Sequence, residues 1–291
     1  MPAPTFDLQS HSVHSDGALS PADVVAAAAA AGVELLALTD HDTCAGVSEA
    51  RQAAHAAGVG FIEATEISTI HEGRQDLHIL GYRIDSEHPR LVAALEHSRG
   101  DRERRAQKMA GRLRDLGYEL DEHQLTARTA QGKTIGRPHL AQAVTTHPAN
   151  QDRLRREGLL EPTKFLVEYL IDGRPAFVDR EAPSVEAAVE LIHEAGGVAV
   201  WAHPFWDISE IDDVRATLDT FGGFGIDGVE VFYPSFSAEQ VRFLVGECSE
   251  RGLLTTGSSD FHGPEHHTFS RFRAFDLHGF EPNLGPIAPA A

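Results

Sequence analysis

Cysteine is nearly absent from this chain of 291 residues: Cys44 and Cys248 stand far apart, with no Cys-x-x-Cys pattern. That excludes a disulfide framework and suits a reducing, cytoplasmic location. Long apolar runs are missing too. No stretch approaches the roughly 18 residues that read as a membrane span. The N-terminus has no basic-then-apolar signal pattern, and the short Ala26–Ala31 run falls inside a helical pattern. No membrane association is expected. Positive charge is scarce, with 25 Lys and Arg against 44 Asp and Glu and a formal net charge of −19. Such a chain repels long nucleic acid at long range, because phosphate binding rests on Lys and Arg. Phosphate substrates are still admissible, since bound cations reverse the local field. No internal repeat and no obligate protein partner is evident.

Hydrophobic residues make up 42% of the chain, enough for a sizeable core. Phe6–His11 reads as a first strand, with residues 7, 9 and 11 on one face because side chains alternate. Ser20, Pro21 and Asp23 form a helix start, and Gly32 a stop. Val33–Thr39 is an apolar strand, and Ser48 is placed to cap a helix that ends at Gly58. Val59–Ile67 and Leu77–Ile84 read as further strands. In the second half, helical patterns near 184–195, 209–221 and 237–251 alternate with strands Val198–Ala202, Gly228–Phe232 and Leu254–Ser258. Alternation with short turns implies parallel strands and α/β architecture. A distorted (β/α) barrel is preferred over an open doubly wound sheet, whose glycine-rich turn does not follow the first strand here.

Residues 98–165 break the alternation. Arg99–Gly117 predicts a basic amphipathic helix carrying Arg102, Arg104, Arg105, Lys108, Arg112 and Arg114. It is read mainly as a solvated face, and as a guide for RNA in the alternative. The expected organisation is a barrel of residues 1–97 and 166–276, a small helical insertion at 98–165 that caps the active site, and a loosely held tail at 277–291.

The chemistry is concentrated in scattered polar residues. They are Gln9, His11, Asp16, His41, Glu66, His78, His203, Asp260 and His262, and most of them fall at or just beyond the ends of strand-like runs. Imidazole and carboxylate are the usual ligands of Zn²⁺, Fe²⁺ and Mn²⁺, and strand ends are where a barrel assembles its active site. With 17 histidines in the chain, any single one means little; the joint pattern is the signal.

The order and contexts of these residues resemble the PHP (polymerase and histidinol phosphatase) family of metal-dependent phosphoesterases. They are Asp7-Leu8-Gln9-Ser10-His11, Ser15-Asp16-Gly17, Thr39-Asp40-His41-Asp42, Glu66, Leu77-His78-Ile79, Ala202-His203-Pro204 and Ser259-Asp260-Phe261-His262. The resemblance runs from Thr5 to about Gly263 with one insertion. It is closest to the branch that includes nucleoside 3',5'-bisphosphate phosphatases and a 5'-to-3' exoribonuclease. One departure is visible: the family opens with His-x-His, and the first of that pair is Gln9 here.

The resemblance implies a seven-stranded barrel and two or three divalent metal ions, Mn, Fe or Zn. It assigns His11, Glu66 and Asp260 to one metal, with Gln9 in the place of the missing His. Glu66, His78 and His203 go to a second, and Asp16, His41 and His262 to a third. His203 and Asp260 are the candidates for moving protons. Asp7, Asp40 and Asp42 are expected to orient imidazoles from behind. Gly136-Arg137-Pro138-His139 resembles the segment that supplies Arg137 and His139 to a substrate phosphate, and Arg174 is a further candidate. The implied activity is hydrolysis of a phosphate ester, foremost the 3'-phosphate of a nucleoside 3',5'-bisphosphate. The alternatives are 5'-to-3' exonuclease action on short RNA, histidinol phosphatase activity, and a degenerate module that only binds a partner.

Overall fold

The computed structural model describes residues 4–130 and 135–288. Its elements run β1 (Phe6–Asp7), α1 (Pro21–Ala30), β2 (Leu35–Leu38), α2 (Val47–Ala57), β3 (Gly60–His71), β4 (Arg74–Tyr82), α3 (Pro89–Asp115), α4 (Glu122–Ala130), α5 (Arg137–Thr145), α6 (Gln151–Glu157), α7 (Pro162–Tyr169), α8 (Val185–Glu194), β5 (Val198–Trp201), α9 (Pro204–Asp207), α10 (Ile211–Gly223), β6 (Gly228–Phe232), α11 (Ala238–Arg251) and β7 (Leu254–Gly257). The chain divides into a barrel unit, 1–96 with 183–291, and a helical unit, 97–182. The second unit runs past the expected boundary at 165. Phe177 and Val178 join its core with Met109, Leu113, Tyr118 and Phe165, and Arg105 Nε donates to the Val178 carbonyl at 2.7 Å.

The seven strands form one sheet in sequential order. β1, β2 and β3 are parallel, as are β5, β6 and β7. β4 is antiparallel to both of its neighbours, which alternation alone did not predict. The reason is a two-residue hairpin: Glu72 and Gly73 both have positive φ, 48° and 81°, and His71 pairs with Arg74. The first strand returns beside the last, with Leu8 N–H on the Gly257 carbonyl at 3.2 Å and His11 N–H on the Phe261 carbonyl at 2.8 Å. The ring is nearly closed. The main core packs Trp201, Phe221, Phe232 and Ile79, and α1 and α2 close a second cluster over β2 with Phe261 and Phe272.

Local signals explain most boundaries. The Ser20 hydroxyl accepts the Asp23 N–H at 3.1 Å, with Pro21 in the first turn of α1. Ser237 and Gln240 form a reciprocal capping box on α11. Ser48 does not cap α2; the cap is Gly46, and Ser48 lies inside the helix. The tail is also held more firmly than its composition suggests. Ile287 is fully buried, Leu277, Phe280 and Leu284 pack against the same main core, and Asn283 and Thr255 exchange two hydrogen bonds. Residues 289–291 of that tail lie outside the described residues. Among the described residues no helix is long and apolar enough to cross a membrane.

Candidate metal centre

The C-terminal ends of the parallel strands carry the polar residues into one place. Gln9 and His11 follow β1, His41 follows β2, His203 follows β5, and Asp260 and His262 follow β7. Glu66 lies within β3 and His78 within β4, which enters from the opposite direction. A parallel bridge between His41 and Glu66 extends the β2–β3 pairing to the site. Two of these positions, and Asp42 next to His41, depart from ordinary backbone geometry. Asp42, His203 and Asp260 have φ of 54°, 30° and 54°, in the left-handed region that non-glycine residues seldom occupy. Such strain gathers at sites where side chains must be aimed. The His203 N–H is fixed by Glu230 Oε2 at 3.0 Å.

Glu66 is the hub and is wholly buried. Its Oε1 lies 2.8 Å from His78 Nδ1 and 3.3 Å from His203 Nε2. Its Oε2 lies 3.2 Å from His11 Nε2 and 3.5 Å from His41 Nδ1. Asp260 Oδ1 is 3.1 Å from His11 Nε2. Asp16 approaches His41 Nε2 at 3.6 Å, His262 Nε2 at 3.5 Å and His11 Nδ1 at 3.7 Å. Two groups have donor atoms close enough to share an ion: His11, Asp16, His41 and His262, and His41, Glu66 and His78. Six of the nine sequence-predicted donors fall in these groups, and His203 and Asp260 lie beside them against Glu66 and His11.

The donor set fits a divalent cation on two counts. His41 Nδ1 is buried and has no hydrogen-bond partner among the described residues, although Glu66 Oε2 lies 3.5 Å from it. Buried polar atoms rarely stay unsatisfied without a reason. Second, the His262 Nδ1–H donates to the Asp260 carbonyl at 2.6 Å, which leaves the Nε2 lone pair facing Asp16.

Charges in the cluster are mutually stabilised. Burial opposes ionisation of Glu66, but the imidazoles packed around its two oxygens hold its carboxyl well below the usual range. Asp260 is likewise held at about 2, against burial, by His262 and His11. His203 is raised to about 9: burial disfavours its charge, and Glu66 outweighs burial. His11 is raised well above 6.5 in the same way, by Asp260 and Glu66. Burial wins at His41, which falls to about 3 and is neutral at pH 7.

Gln9 differs in kind from its neighbours. Its Nε2 donates to Glu66 Oε2 at 2.9 Å, and its Oε1 accepts from Ser258 Oγ at 3.3 Å. The amide thus presents its nitrogen, a donor and no ligand, to the cluster. The three supporting aspartates also act differently from expectation. Asp40 accepts the Ser12 N–H and hydroxyl at 2.7 and 2.6 Å and the Ser15 hydroxyl at 2.7 Å. Asp7 accepts the Ser259 and Arg273 N–H groups, and Asp42 the Ser68 N–H. They fix the loops that carry the imidazoles, through backbone and hydroxyl groups. Gly17 belongs to the same device: a Cβ there would lie 2.2 Å from the His11 carbonyl oxygen.

Sequence reasoning missed Glu230 and Tyr233. Glu230 is fully buried, accepts the Ser258 hydroxyl at 2.6 Å besides the His203 N–H, and is raised by burial to about 8. The Tyr233 hydroxyl donates to Asp260 Oδ2 at 2.7 Å. The one available signal was an acid in the middle of the apolar strand Gly-Val-Glu-Val-Phe.

The phosphate candidates lie in the helical unit. Arg137 is the first residue of α5. His139 Nδ1 accepts the Gly136 N–H at 3.0 Å, so the ring proton sits on Nε2. Arg174 is exposed and pairs with Glu168 at 3.5 Å. In α3, Arg105 and Arg112 hold the Val178 and Phe177 carbonyls, so part of the basic face is committed inside the unit.

Residues 7–143 match the family described as PHP domain. A 5'-3' exoribonuclease of Haemophilus influenzae is 35% identical over 259 residues, 89% of this chain and 90% of that one. A 3',5'-nucleoside bisphosphate phosphatase of Chromobacterium violaceum is 36% identical over 260 residues, 89% and 87% of the two chains. A structure described as an amidohydrolase from Chromobacterium violaceum with bound sulfate superimposes with a TM-score of 0.79 at 31% identity, covering 98% of this chain and 93% of that one. With its barrel, its strand-end histidines and these relatives, the chain belongs to the PHP domain family.

Proposed function

We propose that the chain hydrolyses phosphate esters with two divalent cations (Mn, Fe or Zn), and that its main substrate is a nucleoside 3',5'-bisphosphate, which loses its 3'-phosphate. The observation that carries this is the convergence of Glu66 with five imidazoles and two aspartates, with the buried His41 Nδ1 lacking any other partner. Bound there, divalent cations supply hydroxide near neutral pH and neutralise phosphoryl oxygens.

The chain's own residues aim that chemistry. Glu66 offers one oxygen to each side of the cluster. Tyr233 fixes the Asp260 carboxylate, and Glu230 fixes the backbone that turns His203 inward. His203 Nε2 faces Glu66, and Asp207 Oδ2 lies 3.9 Å from its Nδ1. These surroundings suit holding roles for His203 and Asp260 better than proton delivery to a leaving group. Arg137 and His139 would take the phosphate that does not react, as guanidinium forks and ring N–H groups do. The resemblance to an exoribonuclease, at 35% identity, supports a second reading in which the same residues act on a short 5'-phosphorylated RNA. The net charge of −19 favours the smaller substrate.

The test is turnover by the Mn²⁺-supplied protein of adenosine 3',5'-bisphosphate, histidinol phosphate and 5'-phosphorylated oligoribonucleotides. Faster release of phosphate from the bisphosphate is expected; no turnover and no bound metal would mark a non-catalytic binding module. In the same assay Arg137→Ala should cost about ten- to a hundredfold in kcat/KM on the bisphosphate, the scale of a charged hydrogen bond. A one-phosphate ester should lose far less, and equal losses on both would remove Arg137 from the substrate.

Gln9 decides the number of cations in this proposal. A donor N–H stands where a third ion, between His11, Glu66 and Asp260, would need a lone pair. Gln9→His should therefore raise the metal content from two per chain to three, measured by elemental analysis after dialysis. Three tightly held ions in the wild type would show that the amide turns over and ligates.

A further inference from the structure

Beside the cluster stands a side chain that nothing so far uses. Trp206 is 53% exposed. Among the described residues, no other large apolar side chain of the barrel unit is open to that extent; Leu116, Leu160 and Val167 belong to the helical unit. An isolated exposed ring would mean little, but Trp206 is built into the site. It lies in the short α9, which begins directly after His203, and its N–H bonds the His203 carbonyl at 2.8 Å. Its ring rests on two buried rings, Phe269 at 5.5 Å and Tyr233 at 6.2 Å between centroids. Tyr233 in turn holds Asp260. Phe269 lies 5.5 Å from His262 and is stacked with His266 at 5.2 Å. The aromatic run thus starts at the proposed ligands and ends at an open indole face.

The edge of this run also has a polar group. His266 is exposed, and its Nδ1 accepts the Phe269 and Thr268 N–H groups at 3.0 and 3.3 Å. The ring proton is then on Nε2, a donor. A flat, uncharged group with acceptor nitrogens at its rim matches an open π-face with a donor beside it, and makes no demand on the acidic surroundings. Aromatic side chains bind bases in this way whatever the sequence, because every base has a π-face.

We propose that Trp206, backed by Phe269 and Tyr233 and flanked by His266, is the platform on which the nucleobase of the substrate stacks. It rests on the phosphoesterase reading, since the base is placed there by a phosphate held at the cluster. The platform selects nucleosides over other phosphate esters without hydrogen-bond readout of one base.

The chain has two tryptophans, and Trp201 is fully buried, so Trp206 is a reporter of its own face. Adenosine 5'-monophosphate, adenosine and ribose 5-phosphate are titrated into the Mg²⁺-supplied full chain, with indole emission followed. The two base-containing ligands should quench it and ribose 5-phosphate should not; in Trp206→Phe the quenching should vanish while the Trp201 signal persists. In kinetics, the ratio of kcat/KM for adenosine 3',5'-bisphosphate to that for ribose 5-phosphate should fall about five- to 150-fold in Trp206→Ala. Trp206→Tyr should recover most of the ratio. No quenching by either base-containing ligand, quenching equal with ribose 5-phosphate, or an unchanged ratio in Trp206→Ala overturns the platform. Base-dependent quenching without any hydrolysis would instead keep the platform and reject the phosphoesterase reading.

Discussion

Glu66→Ala is expected to lower kcat/KM on a phosphate ester by about a thousandfold or more. Cations in such sites supply several kcal/mol of charge stabilisation, and about 4 kcal/mol converts to that factor. Glu66 has the largest leverage because both of its oxygens are in use, one against His78 and His203 and the other against His11 and His41. His41→Ala and Asp260→Ala each remove one donor and should cost less. The barrel should survive: β3 keeps its pairing with β2 and β4, and Glu66 itself contributes no apolar packing to the core. Glu66→Gln separates charge from shape, since it keeps the size and one acceptor oxygen yet removes the negative charge. It should lose nearly as much activity as the alanine variant. Turnover, elemental metal content and circular dichroism are measured together. Wild-type turnover and metal content in both variants, with the fold intact, would remove Glu66 from the site.

Much of this site was legible because the signals are local. His11, His41 and His262 sit in short polar breaks after apolar strands, as in Thr39-Asp40-His41-Asp42, and strand ends of a barrel meet by geometry. Glu230 was illegible for the opposite reason. A single acid in Gly228–Phe232 reads by alternation as facing solvent, but every residue of that strand is buried. The direction of β4 was hidden in a two-residue turn, Glu72-Gly73, whose β-turn chemistry is carried mainly by the glycine. The role of Gln9 depends on tertiary contacts. The strand pattern placed it on the inner face beside His11, but only the bonds to Glu66 and Ser258 show which end of the amide points inward. The tail was misjudged because Gly and Pro around it mask three anchoring side chains, Phe280, Leu284 and Ile287. The end of the helical unit was set too early because Phe177 and Val178 lie in a stretch without helical periodicity.

Withdrawing cations should cost the protein about 10 °C in thermal midpoint. An ion present at a thousand times its dissociation constant stabilises the native state by about 4 kcal/mol. Each kcal/mol moves the midpoint by about 2–4 °C in a unit the size of this barrel. The effect should depend on pH in a fixed direction. His203 is raised to about 9 and His11 well above 6.5, so both carry protons at neutral pH in the cation-free chain. Ligand imidazoles must be neutral, and binding therefore releases those protons. Because protons compete with the cation, affinity rises as pH rises, and the gain in midpoint on adding Mn²⁺ should be larger at pH 8 than at pH 6. His41 sets no such limit, since burial already keeps it neutral throughout that window. Melting curves with chelator and with excess Mn²⁺ at the two pH values provide the check, and Glu66→Ala supplies the control. Its melting point should respond weakly to Mn²⁺ at either pH. A shift equal to that of the wild type would place the stabilising ion somewhere other than around Glu66.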